Sequence, residues 1–199
     1  MSEENSVHNS LVNVDDSCLI VIDVQKVFLE KLPEEESEQL IKRLLFLVNV
    51  ATRLEIPLVV TAEDIDKNGS ITPELDAILP IDTYIHNKMI FGLAADPNIV
   101  SVIKETNRNI SILVGLETDV CVAQSAIGLL GQGYQVVVVE DACASPGKSH
   151  SCGLERMRNA GVLVSNVKSL FYEWLRTVED CREFYSQHKD ELGDPGVQL

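Results

Sequence analysis

A thiol, a carboxylate and an ammonium that converge on one point form the set needed for covalent attack on a carbonyl. The acid accepts the thiol proton and the cation favours the sulfur anion. The 199-residue chain offers such a set in Asp23, Lys88 and Cys121. Asp23 lies at the end of the apolar run CLIVIDV, Lys88 ends DTYIHNK, and Cys121 falls in the first turn of TDVCVAQSAIGLLGQG, which follows ISILVGL. A thiol in a first helical turn meets free backbone N–H groups and the positive end of the helix dipole, which favours thiolate. Taken singly, each residue also has a plain structural explanation. Free cysteines are among the most often buried residues, an acid at a strand end can simply bond backbone N–H groups, and lysines are mostly solvated. Only convergence in one cavity separates chemistry from packing.

The elements that must position these residues follow from the pattern of apolar runs. Short β-branched runs alternate with amphipathic segments, which predicts a sheet of parallel strands covered by helices on both faces. Strands are predicted at 18–24, 56–63, 82–88, 110–116, 134–142 and 162–166. Helices are predicted at 37–55, 97–107, 118–133 and 150–161, with a last one in SLFYEWLRTV. The fold class expected is therefore α/β: a doubly wound, six-stranded, mostly parallel sheet of Rossmann-like type. Such sheets bind ligands beyond the carboxyl ends of their strands, so Asp23, Lys88 and Cys121 share one rim. The organisation expected is an N-terminal extension at 1–16, one domain at 17–178 and an acidic tail at 179–199, loosely held from about 186 onward.

Composition limits the partners. A chain with 45% hydrophobic and 24% charged residues hides roughly 70% of its unfolded surface at this length, enough for a core without disulfides. The formal charge of -15, from 31 acidic against 16 basic residues, with no basic cluster, repels a phosphate backbone and argues against a nucleic-acid partner. Cysteines at 18, 121, 143, 152 and 181 show no metal-ligand spacing and read as reduced thiols. The opening residues carry no signal pattern and no apolar run is long enough to span a bilayer, so the expectation is a cytoplasmic protein without a membrane partner. No G-x-G-x-x-G follows the first run, which weighs against nucleotide binding.

The segments LIVIDVQ at 19–25, NKMIFG at 87–92, VGLETDVCV at 114–122, GYQVVVVEDACAS at 133–145 and ERMRNAGVLVSN at 155–166 resemble the isochorismatase-like family of cysteine hydrolases. The resemblance runs from about residue 17 to about residue 175. It implies that Asp23, Lys88 and Cys121 are a catalytic triad, and that the Leu116–Glu117 peptide is cis. It implies further that the backbone N–H groups of Glu117 and Cys121 form an oxyanion hole, and that the chain is a homo-oligomer. Nicotinamidases of the family hold a metal through an acid and histidines after the second strand. Here TAEDIDKNG puts Glu63 near the acidic position and Ile65 where the first histidine would stand, so no metal or other cofactor is expected. Isochorismatases proper often lack the cysteine, and the presence of Cys121 therefore implies cleavage of an amide, ureido or carbamoyl C–N bond in a small-molecule substrate. The loops at 26–33, 63–73 and 84–93 are expected to wall the pocket, with Phe28, Phe91 and His86 as substrate contacts. Asp141 is expected to organise the turn after its strand, and Cys143 to border the pocket. One alternative stays open: a non-catalytic interaction protein that keeps the fold, distinguished by whether Cys121 is more reactive than an ordinary thiol.

Overall fold

Every residue of the first strand, β1 (Ser17–Ile22), is buried. Its side chains alternate between two cores: Cys18, Ile20 and Ile22 enter one, Leu19 and Val21 the other. A strand covered on both faces has no reason to alternate polar with apolar residues, which explains the continuous hydrophobic run. The computed structural model describes residues 11–199; the first ten residues of the expected N-terminal extension lie outside the described residues.

After β1 come α1 (Lys26–Leu29), α2 (Glu34–Arg53), β2 (Leu58–Glu63), α3 (Ile65–Asn68), α4 (Pro73–Asp76) and β3 (Ile85–Lys88). Next are α5 (Pro97–Glu105) and β4 (Ile110–Leu116), then a π-wound turn at Thr118–Val122 that runs into α6 (Ala123–Gly131). The chain closes with β5 (Gln135–Ala144), α7 (Ser149–Ala160), β6 (Leu163–Ser165), α8 (Val167–Leu175) and α9 (Val178–Leu192). The strands form one sheet in the order β3-β2-β1-β4-β5-β6, and every neighbouring pair is parallel. Helices α2, α8 and α9 pack on one face; α5, α6 and α7 pack on the other. The chain winds outward from β1 to β3 and restarts at β4 beside β1, so the topological switch point lies between β1 and β4. A ligand crevice forms beyond the carboxyl ends of such a pair.

The two strands come unusually close there. Gly115 in β4 has φ 116°, and a Cβ at this position would stand 2.0 Å from the carbonyl oxygen of Ile22. Only glycine tolerates both the left-handed backbone and the contact. The residues that follow, Asp23 on β1 and the Glu117 to Cys121 turn on β4, are thereby held side by side.

The described residues are tied down at both of their ends more fully than the sequence predicts. At the start, Val12 is 2% exposed; its N–H donates to Glu173 at 2.6 Å and its carbonyl accepts from Arg176 at 3.1 Å. At the other end the expectation of a loosely held tail is wrong. Residues Val178–Leu192 form α9, capped by Thr177, whose hydroxyl accepts the N–H of Asp180. Phe184 and Leu192 are buried, and Arg53 of α2 pairs with Glu191 at 2.8 Å. Val178, Cys181, Phe184, Tyr185 and Leu192 share a helical stripe. Dense acidic residues between them mask that stripe in the sequence.

Candidate active site

β1 ends at Ile22, and Asp23 turns the chain with φ 50°. Its N–H donates to the carbonyl of Thr61 at 3.1 Å, and the Thr61 hydroxyl donates to Asp23 Oδ1 at 2.8 Å. Thr61 of the neighbouring strand thus holds Asp23 by its backbone and by one carboxylate oxygen. Gln25, fully buried, fixes the end of β2: its Oε1 accepts the N–H of Glu63 at 2.7 Å, and its Nε2 donates to the carbonyls of Glu63 and Gly69 at 2.9 and 2.6 Å. Lys88 ends β3 opposite Glu63. Cys121 comes from the π-wound turn, which the Glu117 carbonyl anchors by accepting the N–H groups of Val120 and Val122 at 3.2 and 3.1 Å.

These four elements bring the three predicted side chains together. The Lys88 ammonium is 2.6 Å from Asp23 Oδ2 and 3.5 Å from Cys121 Sγ. Asp23 and Lys88 are sealed from solvent, and Cys121 is 4% exposed. A fourth group, Glu63, joins them. Its Oε2 accepts from the Cys121 thiol at 3.4 Å and lies 3.7 Å from the Lys88 ammonium. In the sequence Glu63 stands out only as a residue near a metal ligand's position. The rule that residues at strand ends are site candidates would have found it, because Glu63 ends β2 as Lys88 ends β3.

The electrostatics depart from expectation at the sulfur. Burial is the main reason the Cys121 thiol is pushed well above its ordinary pKa; Asp23 adds to this, Lys88 offsets part of it and Glu63 adds again. The resting group is a thiol rather than the expected thiolate. The helix start is outweighed because the sulfur sits in a low-dielectric site beside two carboxylates. Burial likewise raises Asp23, against the opposing pull of Lys88 and Thr61. For Lys88 burial works downward, but Asp23, Cys121 and Glu63 outweigh it, so the ammonium is retained. A raised thiol pKa means that the thiolate fraction climbs about tenfold per pH unit until that pKa is reached. Alkylation of Cys121 by iodoacetamide is therefore expected to accelerate through pH 9 without levelling off, followed by peptide mass spectrometry. A plateau below pH 8 would show instead a preformed thiolate.

The other predicted residues fall around this cluster. The Leu116–Glu117 peptide is cis, and the Glu117 carboxylate pairs with Lys31 at 2.9 Å. Phe28 packs partly buried against the core on the sheet face that carries α2, α8 and α9, with the Lys31 ammonium 4.7 Å from its ring centroid. Phe91 lies exposed beside Met89 and Ile90 in a surface hollow that Gln124 and Gly128 complete. His86 is not joined to the cluster. Its ring stands edge-on to Tyr84 in a hollow with Pro57 and Leu58, where β2 begins. Asp141 accepts the N–H of Val167 at 2.8 Å and so starts α8. Cys143 is buried, with its sulfur 3.8 Å from the Leu113 carbonyl.

Asp23, Glu63 and Cys121 place one donor atom each within 4.8 Å of one another, which raises the question of a metal. The residues do not fit one well. The Lys88 ammonium already stands within 2.6 to 3.7 Å of all three, and a divalent ion among them would meet that charge at close range. The side chain of Ile65, just beyond β2, offers no ligand atom, and its N–H donates to Asn87 at 3.0 Å.

Comparison with known proteins defines the family and the fold. The isochorismatase domain family matches residues 17–169. Isochorismatase family protein 2A of Dictyostelium discoideum is 30% identical over 168 residues, covering 81% of this chain and 83% of that protein. YcaC from Pseudomonas aeruginosa, solved with hexane-2,5-diol and covalent acrylamide, is 24% identical with a TM-score of 0.82, over 94% of this chain and 90% of its own. The YcaC gene product of Escherichia coli, an octameric hydrolase of unknown specificity, is 23% identical with a TM-score of 0.81, over 92% of each chain. The fold is that of the isochorismatase-type α/β hydrolases. The chain belongs to the isochorismatase family. Among the described residues, no helix is long and apolar enough to cross a membrane.

Proposed function

We propose that this protein is a cysteine hydrolase that cleaves an amide, ureido or carbamoyl C–N bond of a small molecule through a thioester on Cys121. The observation that carries the reading is the buried contact set in which Lys88 touches both Asp23 and the Cys121 sulfur, at 2.6 and 3.5 Å. In the first step Asp23 takes the thiol proton as the sulfur attacks the carbonyl carbon. The backbone N–H groups of Glu117 and Cys121 hold the oxyanion, and Lys88 balances the charge that develops beside it. The tetrahedral adduct collapses, the C–N bond breaks, and the amine leaves with the proton from Asp23. Water, deprotonated by the same carboxylate, then attacks the thioester. The carboxylic acid departs and the proton returns to sulfur. Net, one amide and one water become one acid and one amine. The raised pKa of Asp23 suits it to both halves of this exchange. A panel of primary amides, ureides and carbamoyl compounds tested for ammonia release checks the reading; release from none of them by the folded protein favours the non-catalytic alternative.

We propose further that a second copy of the chain covers Met89, Ile90 and Phe91. These residues are 69%, 36% and 54% exposed directly after Lys88, and an exposed apolar patch beside a site is a common mark of an interface. The octameric assembly of the Escherichia coli relative supports this. Light scattering is expected to give a multiple of the 22.0 kDa chain mass, and a monomer at micromolar concentration would refute it.

A further inference from the structure

The cluster contains one carboxylate more than the proposed mechanism uses. Asp23 serves as proton acceptor and takes the close contact with Lys88 at 2.6 Å, which leaves Glu63 only the longer share of that one ammonium, at 3.7 Å. The acids of the nucleophile's own turn are already engaged, Glu117 by Lys31 and Asp119 by the Ser145 hydroxyl. Glu63 is also the most accessible of the four groups, its side chain 19% exposed while Asp23 and Lys88 are sealed. Its position is not left to chance, because Gln25 holds its N–H and its carbonyl. A reacting carbonyl carbon must approach to about 3–3.5 Å from the sulfur, and Glu63 Oε2 is itself 3.4 Å from that sulfur. Whatever is bonded to that carbon therefore meets the Glu63 carboxylate, which can only accept hydrogen bonds.

We propose that Glu63 sets the charge class of the substrate: the reacting end is neutral or cationic and turns N–H bonds toward Glu63, and a carboxylate adjacent to the scissile bond is excluded. This deepens the hydrolase reading and rests on it. In the resting site the thiol proton occupies Glu63. When that proton passes to Asp23, an N–H of the substrate takes its place, so that a carboxylate does not face a sulfur anion directly. Primary amide, ureido and amidino groups supply such N–H bonds, whereas a carboxylate at the same point brings two like charges together.

The inference is testable without knowing the substrate. In the full-length protein, peptide mass spectrometry follows modification of Cys121 by 2-aminoethyl methanethiosulfonate, a cation, and 2-sulfonatoethyl methanethiosulfonate, an anion. The exposed Cys152 in the same molecule is the reference. The cation-to-anion rate ratio at Cys121 is expected to exceed that at Cys152 by about tenfold or more. Glu63→Gln should bring the two ratios together, and Glu63→Asp, which keeps the charge, should restore most of the difference. Equal ratios in the unmodified protein, or a preference unchanged in Glu63→Gln, would overturn the role of Glu63 while leaving Cys121 as a reactive thiol. If Cys121 reacts with neither reagent while Cys152 reacts with both, Glu63 admits no cation to the sulfur and its role falls, while the hydrolase reading is decided separately by turnover in the Cys121 variants.

Discussion

Cys121→Ala is expected to lower ammonia release from the best substrate in an amide and ureide panel by at least about a thousandfold, the scale on which removing a covalent nucleophile acts. The fold should survive. The Cys121 sulfur meets Glu63 and Lys88 in contacts of 3.4 and 3.5 Å that are long and weak, so truncation is expected to cost only about 1 kcal/mol. Cys121→Ser is a stricter version of the test. It keeps the shape and the hydrogen bond to Glu63, but a hydroxyl is harder to deprotonate than a thiol in a site already crowded with carboxylates. Turnover should be lost there too, with a thermal melt close to that of the parent. An alanine variant that still releases ammonia from the true substrate would remove the thioester and leave Asp23 to activate water directly.

The change from an expected thiolate to a resting thiol alters how activation must be read. Comparing resting alkylation rates with those of an ordinary thiol no longer separates enzyme from interaction protein, because a buried thiol beside two acids is slow in either case. Activation has to occur when the substrate arrives and the proton moves to Asp23, so turnover in the Cys121 variants is the discriminating measurement.

Much of this arrangement was legible in the chain because parallel strands buried on both faces leave long apolar runs, and β4 coincides with the run ISILVGL. Polar residues at the ends of such runs stand out, as Asp23 and Lys88 do. Glu63 ends its run in the same way, yet the missing histidine at Ile65 drew attention to an absent metal and away from the acid itself. The protonation state of Cys121 could not be read from sequence. It depends on burial and on carboxylates delivered by two other strands, neither of which a local helix-start argument contains. His86 misled for a related reason: it lies two residues from Lys88, but the hollow it lines is at the opposite end of β2. Helix α9 stayed hidden because net charge dominated the reading of the tail, whereas its sparse apolar positions decide its packing.

The Asp23–Lys88 pair supplies the largest stability effect. Both side chains are sealed from water and 2.6 Å apart, so Asp23→Asn leaves an ammonium whose nearest remaining acid, Glu63, is 3.7 Å away. Removing one partner of a buried pair costs about 3–5 kcal/mol, whereas replacing both by neutral groups of similar volume is often nearly neutral. Asp23→Asn and Lys88→Met are each expected to fall in that destabilised range. The double variant should melt well above the sum of the two losses while remaining inactive. The pH dependence follows from the direction of the shifts. Lys88 is raised above 10.5 in the fold, so its contribution is complete below that value and lost as pH climbs through the higher folded one. Asp23 is raised above 3.8, so its contribution is complete below 3.8 and also declines as pH rises through its folded value. In both windows the parent protein therefore loses stability with rising pH relative to the double variant. Urea denaturation of all four proteins from pH 4 to pH 11 measures this directly. If the two single losses simply add in the double variant, the residues are not coupled, and a cation held against the base beside the nucleophile is no longer a sound premise for the chemistry.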